Sequence, residues 1–155
     1  MKLRRLFQPA QIGTMKLRNS MVMAPMATRF AAEGGYVSPR LKDYYAARAQ
    51  GGVGLIIIED TTIDTALGRD SVWRLAIDDD RFLPGLAELA QAIQQHGARA
   101  AVQLGHAGRE AKTAGAPPVA PSAVPAPWTQ NPRELAIEEI RGLIARFAES
   151  ALRAK

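Results

Sequence analysis

With 155 residues, 47% of them hydrophobic and 23% charged, the chain has the size and composition of one globular domain. The absence of cysteine excludes disulfides, thiolate catalysis and cysteine-ligated clusters within these residues, and the net charge of +5 is spread without long basic runs, which favours a solvated surface over a nucleic-acid site. No apolar run approaches the roughly 18 residues that cross a bilayer, and no export signal follows the first methionine, so we expect no membrane contact and a cytoplasmic location.

The first part of the chain predicts a hairpin and one strand. Residues 11–17 are expected to form a small hairpin that turns at Gly13 and Thr14, because glycine accepts the backbone angles of tight turns. A strand is predicted over about residues 20–24. Pro25 ends this strand, because proline has no N–H group for strand pairing.

The residue pattern from Ser38 to Gly51 predicts a helix with defined ends. Ser38 is a good N-cap residue and Pro39 suits the first helical position, while Gly51 stops the pattern. One face of this helix carries residues that are expected to be buried: Leu41, Tyr44, Tyr45 and Ala49.

Two further strands, with a helix between them, continue the alternation. Residues 53–58 form an apolar run that is typical of a parallel strand buried on both faces, and residues 98–104 form another. Between them, Asp78, Asp79 and Asp80 favour a helix start. The predicted buried stripe of this helix contains Phe82, Leu83, Leu86, Leu89, Ala90 and Ile93. Strands that alternate with helices predict an α/β fold with a parallel sheet.

The last part of the chain predicts a long loop and one more helix. Residues 111–132 hold six of the chain's ten prolines, too many for a helix or a central strand, so we expect a loop that shapes a pocket. Residues 136–155 carry apolar residues at helical spacing. No glycine or proline closes that pattern, so we expect a helix that continues beyond the last residue.

Four spaced motifs occur in a fixed order. They are Met23-Ala24-Pro25-Met26, Gly51-Gly52-Val53-Gly54-Leu55-Ile56-Ile57, Gln103-Leu104-Gly105-His106-Ala107-Gly108-Arg109 and Ala120-Pro121-Ser122-Ala123. From about Leu6 onward, the chain resembles the N-terminal part of the Old Yellow Enzyme family of FMN-dependent NADH:flavin oxidoreductases and ene-reductases. The resemblance implies a (β/α)8 TIM barrel, which typically needs about 250 residues. We therefore expect residues 1–155 to be the N-terminal part of a single FMN-binding barrel domain, with an N-terminal hairpin and the first three βα units.

The resemblance implies that FMN contacts residues at the carboxyl ends of the three strands: Pro25, Met26, Ala27, Asp60 and Gln103. A proline holds the backbone rigid, so that the amides after it can meet a flat ring. The Gln103 amide offers a donor and an acceptor, which match the alternating carbonyl and N–H groups of the flavin edge. From the residues alone, a glutamine bonded to neighbouring backbone is an equally good interpretation.

Two of these positions depart from the family pattern. Where the family commonly has a threonine or cysteine that bonds the flavin, this chain has Ala27, so Thr28 or a backbone amide is expected to replace it. Where the family usually has a small residue, this chain has Asp60. A carboxylate that pointed at the ring would disfavour reduced flavin, so we expect its side chain to turn away, while Glu59 is expected to be structural.

The resemblance also sets the expected function. It implies that hydride passes from NAD(P)H to FMN and then to an electron-poor C=C acceptor, such as an enone. In the family, a histidine pair, or a histidine and an asparagine, follows on a fourth strand, so no catalytic residue is expected here and the chain alone is expected to be inactive. Two histidines, His96 and His106, without cysteines do not supply the ligands of a metal site.

An alternative is a non-catalytic half-barrel that serves as an interaction or complementation partner of a separately encoded remainder. In either case the open strand edges predict a homo-oligomer or a complementing chain.

Overall fold

The computed structural model of the protein describes residues 4–112 and 115–155. In chain order, its strands and α-helices are β1 (Ala10–Ile12), β2 (Met15–Leu17), β3 (Val22–Met23), α1 (Pro39–Gln50), β4 (Leu55–Thr62), α2 (Leu83–Gln94), β5 (Arg99–Gly105), β6 (Val119–Ala120), β7 (Arg133–Glu134) and α3 (Ile137–Ala154). Short 3₁₀ turns precede α2 and follow β5. Within the described ranges, no helix is long and apolar enough to span a membrane.

The central feature is a parallel sheet of three strands in the order β3-β4-β5. Val22 pairs with Leu55, and Leu55 pairs in turn with Arg99. Parallel neighbours need a crossover connection, which α1 and α2 provide. The predicted α/β alternation and parallel pairing are confirmed, and the described part of the chain forms an open sheet instead of a closed barrel.

The N-terminal hairpin is confirmed and is bound to the amino end of this sheet. β1 pairs with β2 in antiparallel fashion, and Gly13 at the turn has a φ of 57°, which glycine adopts without strain. Just after β2, the Arg18 guanidinium donates hydrogen bonds to the carbonyls of Ala49, Val53 and His96 at 2.7–3.1 Å. One arginine therefore holds the hairpin against the ends of both crossover helices.

The core lies between the sheet and the two crossover helices. The Ser38 hydroxyl accepts a hydrogen bond from the Leu41 N–H and caps α1, as the sequence predicts. The buried cluster combines strand residues with residues of both helices and the loop before α2: Ile56, Ile58, Leu41, Tyr45, Ala49, Leu75, Leu89 and Ile93. Because strand side chains alternate, Ile57 and Gln103 lie on the opposite face of the sheet, and Gln103 is exposed.

This alternation corrects one expectation about the uncovered face. If the sheet is part of a barrel, Val22, Ile56 and Val102 or their neighbours are expected to line its interior. Instead, Ile56 and Val102 pack on the helix side. The uncovered face therefore carries their neighbours, and Val22, which is 46% exposed.

Strand lengths differ from the prediction where polar residues are involved. β3 is shorter than predicted, at two residues, whereas β4 extends past Ile58 to Thr62. The extension is stabilised because the chain returns beside it: the Thr62 N–H donates to the Leu75 carbonyl at 2.8 Å. Thr61 and Thr62 are consequently fully buried.

The C-terminal part combines an irregular segment with an amphipathic helix. Most of residues 111–132 lack regular structure, apart from the two-residue strand β6, which pairs with β7; residues 113 and 114 of this predicted loop lie outside the described residues. The predicted C-terminal helix is confirmed as α3. Ion pairs from Arg146 to Asp64 and from Arg153 to Asp80 hold α3, while Ile137, Ile144 and Leu152 remain 63–74% exposed.

Candidate functional site

The predicted site residues come from the carboxyl ends of three adjacent strands. Pro25, Met26 and Ala27 follow β3, whereas Asp60 and Gln103 lie two residues before the ends of β4 and β5. Neighbouring strands are about 4.8 Å apart, so the ends of three strands span roughly 10 Å. Met26 and Ala27 are exposed, and Pro25 is half-buried.

A β-bulge brings Glu59, Asp60 and Gln103 together. Ile58 pairs with Val102 and Thr61 pairs with Leu104, so two residues of β4 lie opposite the single residue Gln103. A bulge bends the strand and redirects its side chains, and bulges are frequent beside active sites. Here it sends the two consecutive carboxylates in different directions.

Glu59 fixes the turn that follows β3. Its carboxylate is 2% exposed and accepts hydrogen bonds from the Thr28 N–H at 3.0 Å and the Thr28 hydroxyl at 2.6 Å. Its own N–H donates to the buried Tyr45 hydroxyl at 2.8 Å. The Thr28 hydroxyl also accepts from the Phe30 N–H, and since its only proton is donated to Glu59, it has no proton left to donate to a flavin. The expected replacement by Thr28 is therefore not available in this arrangement, which leaves the backbone amide of Ala27.

Asp60 is the centre of a second set of charges. Its Oδ2 forms an ion pair with Arg74, and the same guanidinium binds both oxygens of Asp70 at 2.9 Å. The other oxygen, Oδ1, is buried and has no hydrogen-bond partner among the described residues. It lies so close over Gly105 that a Cβ atom there would overlap it. The Asp60 side chain thus lies along the sheet edge, between the loop before α2 and the end of β5.

Two cavities open at this edge of the sheet. A small one, about 50 Å³, is shared by Ala27, Asp60 and Arg74 with Arg29 and four other residues. A larger one, about 620 Å³, is lined by residues that include Arg29, Lys112 and Trp128. Arg29 has a φ of 57°, a left-handed conformation that is strained for a residue other than glycine and that clusters at functional sites.

Residues 106–109, which follow β5, are held by contacts within the segment and with neighbouring loops. The Gly108 N–H donates to His106 Nδ1 at 3.0 Å, and burial lowers the pKa of His106 below its ordinary value. The ring lies on Gly68, where a Cβ atom would collide with it. Arg109 donates to the Val124 carbonyl at 3.4 Å. These contacts attach the motif to the neighbouring loops.

The donors and acceptors at this edge fit the rim of a flavin. Neither the Ala27 N–H nor the Gln103 side-chain amide is hydrogen-bonded to any residue that the structure describes, and Ala27 and Gln103 are both exposed residues. A backbone donor after β3 and a side-chain amide on β5, with β4 between them, offer the donor and acceptor types that complement a ring edge of alternating carbonyl oxygens and an N–H group. Neither Ala27 nor Gln103 needs to leave a buried position to make such contacts.

Comparison with known proteins identifies the family. The model of the NADH:flavin oxidoreductase / NADH oxidase family matches residues 5–155. The chain belongs to this family. It is 47% identical over 154 residues to an NADH oxidase of Thermoanaerobacter brockii, and the match covers 97% of this chain but 24% of that protein. The family membership predicted from the four motifs is confirmed.

Solved structures agree with this assignment. A 2-naphthoyl-CoA reductase in complex with 2-naphthoyl-CoA superposes with a TM-score of 0.88 at 28% identity, and the match covers 97% of this chain and 25% of that one. Morphinone reductase in complex with tetrahydroNAD gives a TM-score of 0.85 at 31% identity, with coverages of 96% and 46%. The chain therefore spans less than half the length of these relatives.

Three features of this strand edge are not evident from the sequence. Arg74 and Asp70 lie in an irregular loop, and the bulge at Glu59 and Asp60 has no pattern of its own. The one available signal is that a carboxylate at the end of a buried strand needs a partner. That signal does not distinguish Arg74 from Arg29 or the other arginines nearby.

Proposed function

We propose that the chain supplies part of the FMN-binding surface of an NAD(P)H-dependent flavin oxidoreductase of the ene-reductase type. Residues 1–155 are then the N-terminal part of one barrel domain, with β3, β4 and β5 as its first three barrel strands. Residues 111–132 form a loop on the cofactor side. The residues that hold FMN are Pro25, Met26, Ala27, Asp60 and Gln103.

One observation supports this proposal: Ala27, just after β3, and Gln103, on β5, are both exposed at the carboxyl edge of the three-stranded sheet, on either side of β4 with Asp60, in a chain of the NADH:flavin oxidoreductase family. Gln103 would hold the pyrimidine edge of the ring through its side-chain amide, and Ala27 would offer its backbone N–H to the ring from the turn after β3. Glu59 holds the turn after β3 in place through Thr28. When bound, FMN supplies the redox chemistry, which is hydride uptake from NAD(P)H and delivery to an electron-poor C=C bond.

No side chain in this arrangement takes the part of a substrate-activating histidine pair. His106 Nδ1 already accepts a backbone hydrogen bond, and its Nε2 is buried. His96 lies just after α2, at the amino end of β5. We therefore propose that this chain binds and orients FMN but does not activate the substrate, and that it has no turnover of its own.

A second candidate function rests on the exposed face of α3. Ile137, Ile144 and Leu152 lie on an amphipathic helix and are 63–74% exposed, and large apolar surfaces of this kind mark interaction sites. A second copy, or a separately encoded remainder of the barrel, can cover this face. In that case the chain acts as a complementation partner without flavin chemistry of its own.

Fluorescence titration of FMN with the purified chain distinguishes the two. The flavin proposal predicts saturable quenching that Gln103→Ala weakens about tenfold or more, because a hydrogen bond pair is lost. Gln91→Ala, on the exposed surface of α2, is the matched control and leaves the affinity unchanged. Absence of FMN binding by the wild-type chain favours the complementation function. Turnover with NADH, NADPH and an enone above that of free FMN contradicts the proposal that the chain lacks catalysis.

A further inference from the structure

We propose that Arg74 is a positioning residue for the flavin site, which it serves by holding the Asp60 carboxylate across Gly105 and offsetting its charge. This inference rests on the proposed function, because it concerns the balance between oxidised and reduced FMN at that site. It assigns a role to a residue of the loop between β4 and α2, far from the three strand ends in sequence.

The position of Arg74 is fixed by the end of β4. The next residue, Leu75, accepts a hydrogen bond from the Thr62 N–H at 2.8 Å, and the Ile77 N–H donates to the Thr62 carbonyl at 3.0 Å. The loop thus runs beside the strand that carries Asp60. The Arg74 side chain is 13% exposed, and it binds Asp60 on one side and Asp70 on the other. A guanidinium held in this way has little freedom to leave.

The Asp60 carboxylate is in turn confined by its surroundings. Oδ2 is bound to Arg74, while Oδ1 is packed on Gly105 without a hydrogen bond from the described residues. Asp60 lines the small cavity together with Ala27 and Arg74, and Arg74 is its one ion-pair partner among the described residues. Arg74 therefore controls where the negative charge of Asp60 lies relative to the ring.

The net charge around the small cavity links Arg74 to the redox balance of FMN. Three carboxylates and two guanidinium groups line the small cavity, from Glu59, Asp60, Asp70, Arg29 and Arg74, which leaves one excess negative charge. Loss of Arg74 raises the excess to two beside a cofactor whose reduced form is the more negative one. An unpaired charge a few ångströms away changes the relative binding of reduced and oxidised FMN by about tenfold at an effective dielectric between protein and water.

The test compares midpoint potentials of FMN bound to the purified chain, measured by dye equilibration. Arg74→Gln is expected to favour oxidised FMN about tenfold, which corresponds to a potential lower by about 30 mV for a two-electron couple. Asp60→Asn is expected to shift the potential in the opposite direction. In the Asp60→Asn background, Arg74→Gln is expected to lose at least half of its effect.

Controls separate this role from a merely structural one. Arg74→Lys keeps the charge, so its midpoint potential is expected to remain within about 10 mV of wild type. That is a third of the roughly 30 mV that a tenfold change represents. Arg48→Gln removes the same charge in the last turn of α1, at the other end of the sheet, and is expected to leave the potential unchanged.

Three results overturn the inference. The first is an Arg74→Gln potential equal to that of wild type, with only a uniform loss of affinity for both forms of FMN, since that is the signature of a loosened loop. The second is an equal Arg74→Gln shift with and without Asp60. The third result concerns Asp60→Asn, which replaces Arg74→Gln as the test if that variant fails to fold. An Asp60→Asn midpoint potential equal to that of wild type would overturn the inference. Failure of the wild-type chain to bind FMN instead rejects the proposed function, and the inference with it.

Discussion

Removal of the Tyr45 hydroxyl tests how firmly the bulge is held. Tyr45→Phe keeps the ring, which is fully buried, but leaves the Glu59 N–H without the acceptor that now lies 2.8 Å away. A buried donor left unsatisfied costs about 1–3 kcal/mol, whereas the loss of one oxygen creates almost no cavity. Burial raises the pKa of the Tyr45 hydroxyl well above its ordinary value, so the neutral hydroxyl is the group that is lost at all ordinary pH values.

Urea unfolding followed by tryptophan fluorescence measures this effect, and Tyr44→Phe is the matched control. Tyr44 lies on the same helix and packs edge-on against both Phe30 and Tyr45, but its hydroxyl bonds to none of the residues that the structure describes. We expect Tyr44→Phe to change the free energy of unfolding by less than about 0.5 kcal/mol. Equal effects of the two substitutions would contradict this prediction, because the stability of the chain would then not depend on the hydrogen bond from the Glu59 N–H to Tyr45.

Three further predictions follow from the structure. The pKa of His106 is lowered in the folded chain, so below the ordinary histidine pKa of about 6.5 the unfolded chain binds more protons than the folded one. Stability therefore falls as pH falls through that value, and His106→Asn is expected to remove this part of the pH dependence in urea titrations at pH 5–7. Gly105→Ala forces the Asp60 carboxylate from its position and costs about 1–3 kcal/mol in unfolding free energy, most of which Asp60→Ala restores. Sedimentation velocity is expected to show self-association of the wild-type chain, and Ile137→Lys with Ile144→Lys is expected to shift it toward monomer; a monodisperse wild-type monomer contradicts the role of the exposed α3 face.

Local signals account for the parts of the fold that the sequence predicts well. The Ser38-Pro39 start of α1 and the Gly13 turn depend on backbone and cap chemistry within a few residues, so both are confirmed. The end of β4 is different. Thr61 and Thr62 are polar, and their burial depends on hydroxyl hydrogen bonds to the Glu59 and Asp64 carbonyls as well as on the returning loop, whose Leu75 carbonyl binds the Thr62 N–H. No periodicity within the strand contains that information.

The candidate site shows the same difference between features that the sequence predicts and contacts that depend on distant residues. Motif order identifies the family, and the strand ends place Asp60 and Gln103 on neighbouring strands, as expected. The use of Thr28 by Glu59 and the pairing of Asp60 with Arg74 involve partners 31 and 14 residues apart. Such contacts are determined by loop geometry, so the sequence indicates which chemistry is present but not which partner each carboxylate takes.

Amide chemical-shift mapping during an FMN titration shows directly whether this chain forms the flavin-facing edge of an NADH:flavin oxidoreductase barrel. We expect saturable shifts concentrated on Ala27, Asp60 and Gln103 and their immediate neighbours, with the Gln103 side-chain amide among the largest. Shifts concentrated instead on α2 and α3, or no saturable shifts from a folded chain, would contradict it.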